Sequence, residues 1–285
     1  MGLIESPSVI FAAEKYLALM ALGFGVGAYG TLIGAGGGFV LMPLLLILYP
    51  KESPEILTSI SLAVVFFNAL SGSEAYGLMK RIDYRSGFMF AAATVPGAVV
   101  GAMNTSHVPR YLFDIIFSVL MVAAAVFLLF RPGAPKAISQ KSSNSRYRIT
   151  RHLVDAHGHH YDYSFNPLLG IGLSLFVGYA SSFLGIGGGI IHVPVLGYFL
   201  HFPVHVATAT SHFVLAIMAL TGTVVHILTG TFTHGVHRTI ALAIGVALGA
   251  QLGAHFSQRV HGTWIIRSLA LALGLVAIRI LMTVL

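Results

Sequence analysis

Two glycine clusters are the residues of this chain best suited to bind a ligand through the backbone alone. They read Gly-Ala-Gly-Gly-Gly from residue 34 and Gly-Ile-Gly-Gly-Gly from residue 185. Glycine breaks a helix and removes the side chains that keep a ligand off the backbone. The apolar stretches that follow, 39–49 and 190–200, would then begin as half-helices, whose free N–H groups bind anions. The predicted anion site therefore comprises Gly34, Gly36, Gly37, Gly38, Gly185, Gly187, Gly188 and Gly189; close helix packing is the rival interpretation.

Hydroxyl side chains follow each cluster at matching positions. Thr58 and Ser61 recur 150 residues later as Thr208 and Ser211. Hydroxyls at a helix break donate to oxyanion oxygens, and elsewhere they bond back to their own helix. We include all four in the predicted site and leave both roles open.

Histidine is unevenly distributed, since all but one of the 14 histidines follow residue 150. His192 lies just past the second glycine cluster, and His212 follows Ser211. Imidazole changes charge near neutral pH, so both are predicted to face the substrate or to carry a proton. A neutral histidine that bridges two helices is the alternative. The equivalent positions of the first half are Leu41 and Leu62, so the site would be asymmetric.

Carboxylates are scarce, and no Asp or Glu follows Asp162. Sodium, calcium and magnesium sites prefer oxygen ligands that include carboxylates, so this deficit favours an anionic or neutral substrate. The chain has no cysteine, which excludes disulfides and a thiol nucleophile. It also contains neither Gly-x-Ser-x-Gly nor His-Glu-x-x-His, and we predict no enzymatic activity and no cofactor.

The composition excludes a soluble protein. Of the 285 residues, 56% are hydrophobic and only 9% are charged, and the mean hydropathy is +0.86. Soluble domains carry about 25% charged residues. The net charge of +7 comes from basic residues at segment ends and in one loop, which is typical of a membrane protein rather than of a nucleic-acid-binding face.

Eight apolar segments, each long enough for a helical span of about 20 residues, predict an all-α polytopic membrane protein. Ser53-Pro54-Glu55 is a helix-start signal before the second segment. The first and fifth segments contain the glycine clusters. The segments are 16–49, 54–78, 86–105, 110–130, 168–200, 206–229, 238–257 and 263–283.

Basic residues predict the orientation, on the assumption that the glycine breaks add no crossing. Eleven lie on one side and three on the other, which favours both termini in the cytoplasm. The larger group is Lys15, Lys80, Arg81, Arg85, Arg238, Arg131, Lys136, Lys141, Arg146, Arg148 and Arg151; the smaller is Lys51, Arg110 and Arg259.

Residues 131–166 form the one long polar stretch. Two β-prone runs, 147–154 and 159–165, flank a turn that contains Gly158, and they predict a small cytoplasmic hairpin. Its histidines are expected to be solvated, and divalent-metal binding is the alternative. The residues concerned are His152, His157, His159 and His160, with Asp155 and Asp162.

The two halves of the chain repeat each other. The glycine clusters, each with a following proline, align at an offset of 151, the hydroxyl residues at 150, and a Gly-Ala-x2-Gly-Ala helix at 152. We predict two four-span repeats, 1–130 and 167–285, joined by the linker 131–166, and leave a parallel or an inverted arrangement open. Close helix packing is the expected role of the last motif, with Gly97, Gly101, Gly249 and Gly253.

Taken together, these motifs resemble the sulfite exporter TauE/SafE family of membrane transporters over nearly the whole chain. The resemblance implies alternating-access transport of a small sulfur-containing or organic anion, such as sulfite, thiosulfate or sulfoacetate. The expected partners are that anion, the lipid bilayer and a coupling proton or ion, and nucleic acid is not expected. A histidine-dependent cation or metal transporter is the alternative.

Overall fold

The computed structural model describes residues 7–130 and 148–257, with short stretches between 259 and 282. Within 7–130 and 148–257, nine α-helices and one antiparallel two-stranded sheet follow one another. The strands are β1 (Ile149–Val154) and β2 (His160–Phe165). The helices are α1 (Pro7–Ile33), α2 (Gly38–Leu48), α3 (Pro54–Leu78), α4 (Tyr84–Thr105), α5 (Arg110–Phe130), α6 (Pro167–Leu184), α7 (Gly189–Pro194), α8 (Val204–Leu228) and α9 (Val236–Ser257).

Among the described residues, six helices are long and apolar enough to cross a membrane: α1 from Glu14 onward, α3, α4, α6, α8 and α9. The glycine clusters interrupt the first and fifth predicted segments and are followed by short apolar helices, α2 and the segment Gly189–Phe199, in which one turn of π-helix continues α7. The prediction of an all-α polytopic membrane protein with a small hairpin is confirmed. The eighth predicted segment, 263–283, falls largely outside the described residues.

Local capping fixes where two of the long helices begin. The Ser53 hydroxyl accepts a hydrogen bond from the Ile56 N–H at 3.4 Å, directly before Pro54. Asn166 caps α6 in the same way and accepts from the Leu168 N–H at 3.0 Å. The predicted start of α3 is confirmed, because a capping hydroxyl and proline at the first position both favour helix initiation.

A ladder of glycines brings α9 against α1. Each step of four residues along α9 is matched by a step of four residues along α1 in the same direction, so the two helices are parallel. Small residues at this spacing let two helix backbones approach closely. The facing pairs are Gly245 with Met20, Gly249 with Phe24, and Gly253 with Ala28.

The same arrangement joins α4 to α6. Gly97 faces the backbone of Leu175, and Gly101 faces that of Tyr179, so this pair is also parallel. These glycines and their equivalents on α9 therefore have the packing role that the sequence predicts.

The ends of the bundle are identified by contacts between loops. The Ala156 N–H of the hairpin donates to the Met79 carbonyl oxygen after α3 at 2.9 Å. At the other end, Arg238 near the start of α9 pairs with Glu52, just before α3, at 3.0 Å. We call these the hairpin end and the far end. Helices α3 and α9 both begin at the far end.

Helix α8 runs in the opposite direction to α3. Near its start, the Thr210 hydroxyl accepts from the Asp83 N–H at the hairpin end at 3.0 Å. Just after its end, Thr231 donates to the Glu55 carboxylate at the far end at 2.6 Å. Helix α4 begins at the hairpin end directly after Asp83, α1 is parallel to α9, and α6 is parallel to α4, so α1, α3 and α4 run antiparallel to their counterparts α6, α8 and α9. Of the two arrangements left open, the structure therefore has the inverted one.

The inversion arises because the short segment after each glycine cluster turns back into the bundle instead of continuing outward. Each of these short segments runs back toward the end of the bundle from which its long helix came. The charge count assumed no such extra pass through the membrane. Arg238 and Lys15 therefore lie at the far end with Lys51, whereas Arg259, just after the end of α9, lies at the hairpin end, so the predicted sides of Arg238, Lys15 and Arg259 are wrong.

The hairpin docks on the helix bundle through its aromatic side chains. Tyr163 and Phe165 pack against Phe202, with ring centroids 4.4 and 5.0 Å away, and Phe165 also contacts Phe90 of α4. β1 and β2 pair in register from Ile149 opposite Phe165. The hairpin therefore covers the hairpin-end termini of α4 and α8.

A buried carboxylate fixes the hairpin turn. Asp155 accepts hydrogen bonds from the N–H groups of His157 and His159, each at 2.9 Å, and lies 3.4 Å from the Arg81 guanidinium. Burial by itself would raise the pKa of Asp155, but these hydrogen bonds and the His159 imidazole hold it well below the usual range. Two of the hairpin histidines form local pairs, His159 with Asp155 and His152 with Asp162. In the described part of the chain, no three His, Asp or Glu side chains come together as a metal site.

Candidate functional site

The two glycine loops leave the helical conformation at equivalent residues. Gly34, Gly36 and Gly37 have φ of 80°, 74° and 73°, and the second loop repeats this pattern with 67°, 75° and 63°. A side chain would strain the backbone in this left-handed region. The loops therefore explain why glycine occupies these positions, and they end α1 and α6 inside the bundle.

Each loop packs against the long helix of the opposite half. Gly34 lies against Thr208 of α8, and Gly185 lies against Thr58 of α3. The same exchange continues at the middle of the two helices, where Gly36 contacts Leu215 and Gly187 contacts Val65.

The two loops also meet each other at the centre of the bundle. Gly38 faces the carbonyl group of Ile186, and Gly189 faces Ala35 and the carbonyl oxygen of Gly34. The predicted glycines of both clusters are thus brought together.

Helix α2 begins at this meeting point. The N–H groups of Val40 and Leu41 donate to the Gly37 carbonyl at 3.0 and 2.9 Å, which leaves the N–H groups of Gly38 and Phe39 without an acceptor inside the helix. In the segment Gly189–Phe199, the N–H groups of Ile191 and His192 donate to the Gly188 carbonyl at 3.0 and 2.8 Å. The Gly189 N–H, however, donates to the Gly187 carbonyl at 2.6 Å, so this start leaves one N–H, that of Ile190, without an acceptor inside the helix. A helix start carries a partial positive charge, so the centre of the bundle favours an anion.

Three of the four predicted hydroxyls are buried without a hydrogen-bond partner among the described residues. They belong to Thr58, Thr208 and Ser211. Ser61 instead donates to the Gly185 carbonyl oxygen at 2.5 Å and so holds the second loop. Leaving a buried hydroxyl unpaired costs about 1–3 kcal/mol, a cost that a bound oxyanion would remove.

His192 lines a narrow crevice beside the second half-helix. Its Nε2 lies 3.2 Å from the Ser174 hydroxyl, whereas Nδ1 has no partner among the described residues. Ser211, Gly188 and Gly189 line the same crevice, which is too narrow for a water molecule. The site is therefore closed in this conformation.

His212 lies on the other side of the glycine loops in a polar network with α1 and α3. Its Nε2 lies 3.3 Å from the Thr31 hydroxyl, which donates to Asn68 Oδ1 at 2.8 Å. Tyr76 donates to the Thr31 carbonyl oxygen at 2.6 Å. The imidazole packs against Gly72, whereas the equivalent Gly222 contacts Leu62. The predicted asymmetry between the halves is thus present in the structure.

Thr31 is a polar residue of this network that sequence reasoning missed. It stands three residues before the first glycine cluster, and Ser182 stands three residues before the second. Extending the repeat alignment upstream would have found both. His226 of α8 lies outside the predicted site and is buried with both ring nitrogens unpartnered among the described residues.

Two inverted halves, each with an interrupted helix that meets the other near the middle of a membrane bundle, define the architecture of a secondary transporter. Residues 19–280 match the sulfite exporter TauE/SafE family, and the chain belongs to this family of membrane transporters.

Relatives are found in bacteria and archaea. A protein of Bacillus subtilis named "Probable membrane transporter protein YunE" is 30% identical over 94% of this chain and 97% of its own length. A "Probable membrane transporter protein" of Methanocaldococcus jannaschii is 22% identical over 85% of this chain and 86% of its own. No solved structure matches the chain.

Proposed function

We propose that this protein transports a small sulfur-containing or organic anion of the sulfite, thiosulfate or sulfoacetate type, without converting it chemically. The observation that carries this proposal is the meeting of the two glycine loops at the centre of the bundle, with buried, unpartnered hydroxyls on either side of that point. The anion would accept hydrogen bonds from the N–H groups of Gly38 and Phe39 at the centre, from the hydroxyls of Thr208 and Ser211 on the hairpin-end side, and from the Thr58 hydroxyl on the far-end side as it passes from one side to the other.

The distribution of carboxylates supports an anion over a cation. The residues that line the described crevice include no Asp or Glu. Glu52 and Glu55 lie at the far end, and Asp83 and Asp155 lie at the hairpin end. A cation at the centre would therefore lack a carboxylate counter-charge, whereas an anion would meet the free N–H groups at the helix starts and the buried hydroxyls.

Alternating access would follow from the inverted halves. Each half contributes one glycine loop and one long helix, α3 or α8, on which the loop of the other half packs. Rocking one half against the other would open the crevice first toward one end and then toward the other. The closed crevice corresponds to the occluded state of this cycle.

The orientation we propose places the hairpin end in the cytoplasm and the start of α1 on the opposite side of a bacterial inner membrane. With the directions of the helices in the structure, six of the described basic residues lie at the hairpin end: Lys80, Arg81, Arg85, Arg148, Arg151 and Arg259. The far end has Lys15, Lys51, Arg110 and Arg238. The excess of basic residues marks the cytoplasmic side.

A histidine-dependent cation transporter is the second candidate, and the unpartnered Nδ1 atoms of His192 and His212 favour it. The absence of a three-ligand cluster in the described part of the chain weighs against it.

Thermal unfolding of the purified protein tests both candidates. Sulfite, thiosulfate, sulfoacetate and sulfate would be compared with sodium, zinc and nickel salts at matched ionic strength. A ligand at 100 times its Kd adds about 2.7 kcal/mol to the free energy of unfolding. We expect a selective rise in Tm with one sulfur anion. A rise in Tm with zinc or nickel alone would refute the anion site. If none of the anions raises Tm, the proposed substrate class is refuted.

A further inference from the structure

An anion at the centre of this bundle needs a compensating positive charge. A buried charge that is not paired is strongly unfavourable, and hydrogen bonds from neutral donors offset only part of that cost. The basic side chains of the six candidate spans and their loops lie toward the two ends of the bundle, as Arg238 and Arg81 illustrate. The ionisable side chains nearest the glycine loops are histidines.

The hydrogen-bond network around His212 fixes its neutral tautomer. The Thr31 hydroxyl has one proton and donates it to Asn68 Oδ1 at 2.8 Å. The contact of 3.3 Å between Thr31 Oγ and His212 Nε2 is therefore a hydrogen bond in which Nε2–H donates. Nδ1 then carries a lone pair, and in the neutral ring it has no hydrogen-bond partner among the described residues, whereas the Gly34 backbone beside the imidazole favours its protonated form.

From these observations we infer that His212 Nδ1 takes up one proton together with the anion, so that anion and proton cross the membrane as a pair. Protonation forms one N–H bond and gives His212 a positive charge beside the Gly34 loop and Thr208. Release of the anion returns the proton to water and restores the neutral ring. This inference rests on the proposed function and adds the coupling ion to it.

Among the described groups that face His212, the imidazole itself is the one available to take up a proton. From α1 it meets Thr31 and the Gly34 backbone, and from α3 it meets Asn68, Gly72 and the ring of Tyr76. The Tyr76 hydroxyl is occupied as a donor to the Thr31 carbonyl oxygen.

The nearest charged groups of the hairpin end are already paired. Asp83, whose N–H bonds to Thr210 two residues before His212, contacts Arg151 and Tyr163. Arg81 pairs with Asp155. Neither pair needs His212 as a partner.

His192 provides a matched control. It is buried to the same degree as His212, with 2% and 0% exposure, and has an unpartnered Nδ1. Its Nε2 contacts the Ser174 hydroxyl, whose proton has no other acceptor among the described residues. Ser174 can therefore donate to Nε2, and the neutral imidazole of His192 can then carry its proton on Nδ1. We expect His192 to donate to the anion without changing its charge.

Calorimetric titration in two buffers of different ionisation enthalpy measures the protons taken up per anion bound. The probe is whichever of thiosulfate, sulfoacetate and sulfate raises Tm most, because sulfite itself titrates near neutral pH. Wild-type protein should take up one proton per anion at pH 7.5, and its Kd should rise by up to about tenfold per pH unit above the pKa of His212. His212→Gln should bind more weakly and take up none, whereas His192→Gln should still take up one.

The outcomes separate this inference from the proposed function. Binding of none of the three anions by wild-type protein refutes the proposed function and, with it, the coupling. Binding without proton uptake by wild-type protein, or with undiminished uptake by His212→Gln, overturns the role of His212 and leaves the anion site standing. The wild-type measurement decides the matter even if the variant does not fold.

Discussion

The Ser61 hydroxyl donates to the carbonyl oxygen of Gly185 at 2.5 Å and ties the first half of the chain to the glycine loop of the second. Its counterpart in the repeat, Ser211, has no such bond, and its hydroxyl has no partner among the described residues. Equivalent residues of a duplicated chain thus have different physical tasks, one structural and one available to a ligand.

This difference predicts opposite results for the same substitution. Ser61→Ala removes a buried hydrogen bond and should lower the free energy of unfolding by about 1–3 kcal/mol. Ser211→Ala removes no bond, so its stability should stay within about 0.5 kcal/mol of the wild type while anion affinity falls. Thermal unfolding with and without the anion measures both effects. Equal destabilisation by the two variants would assign both hydroxyls to structure.

Thr58 and Thr208 allow a test in which the side chain keeps its shape. Thr58→Val and Thr208→Val each replace an unpartnered buried hydroxyl with a methyl group, so stability should be unchanged or higher. The affinity for the anion should fall by up to about tenfold per variant, because each hydroxyl would donate one hydrogen bond of about 1.4 kcal/mol when the anion lies on its side of the centre.

The control for these variants is Thr239→Val, because that hydroxyl is bonded to the Gly235 carbonyl far from the crevice. It should lose stability and keep its affinity for the anion. Unchanged anion binding by both Thr58→Val and Thr208→Val would remove these hydroxyls from the site.

The glycine ladder between α1 and α9 can be tested by filling it. Gly249→Val would place side-chain atoms against the Phe24 backbone, and we expect a loss of about 1–3 kcal/mol in the free energy of unfolding. Gly172→Ala in α6 is the control, because a methyl group there meets no atom within 4 Å. A fully stable Gly249→Val protein would contradict the close contact.

The hairpin has a predictable response to acid. The pKa of Asp155 is depressed in the folded state, so its contribution to stability is complete above the usual pKa of about 4 and is lost as pH falls toward the folded value. Hydrogen exchange of 149–165 should therefore be constant from pH 7 to about pH 5, after correction for intrinsic rates, and should rise below pH 4. Asp155→Asn should show the raised exchange at pH 7, and an acid response retained by this variant would exclude Asp155 as its cause.

The inverted arrangement is open to a direct topology test, since the chain has no native cysteine. Single-cysteine variants at Lys15 and Lys51 should react with a membrane-impermeant maleimide in intact cells. A variant at Arg85 should react only after the cells are permeabilised. Labelling of the Lys15 and Arg85 variants from the same side would contradict the helix directions.

Much of the fold could be predicted because its signals are local. Ser53 and Pro54 mark the start of α3, and the turn around Gly158 joins two β-prone runs. Spacing alone indicated that Gly97 and Gly249 lie at helix contacts, since small residues four apart serve that purpose in membranes.

The return of α2 could not be predicted, because 39–49 is equally apolar whether it continues outward or turns back. Its direction depends on the contact of Gly38 with Ile186, residues about 150 positions apart. The same distance hid the role of Thr31, which becomes a partner of His212 only once α1 and α8 are packed together.

The exchange of glycine loops also bears on how such a chain could have arisen. Gly34 and Gly185 each find their packing surface on the other half, at Thr208 and Thr58, so one half alone would leave its broken helix uncovered inside the lipid. A single-repeat ancestor would have needed a second copy inserted upside down in the same membrane. A half that makes an odd number of passes ends on the side of the membrane opposite to its start, so a copy joined directly behind it is inserted in the inverted orientation. The five helical passes α1–α5 before the linker meet that requirement.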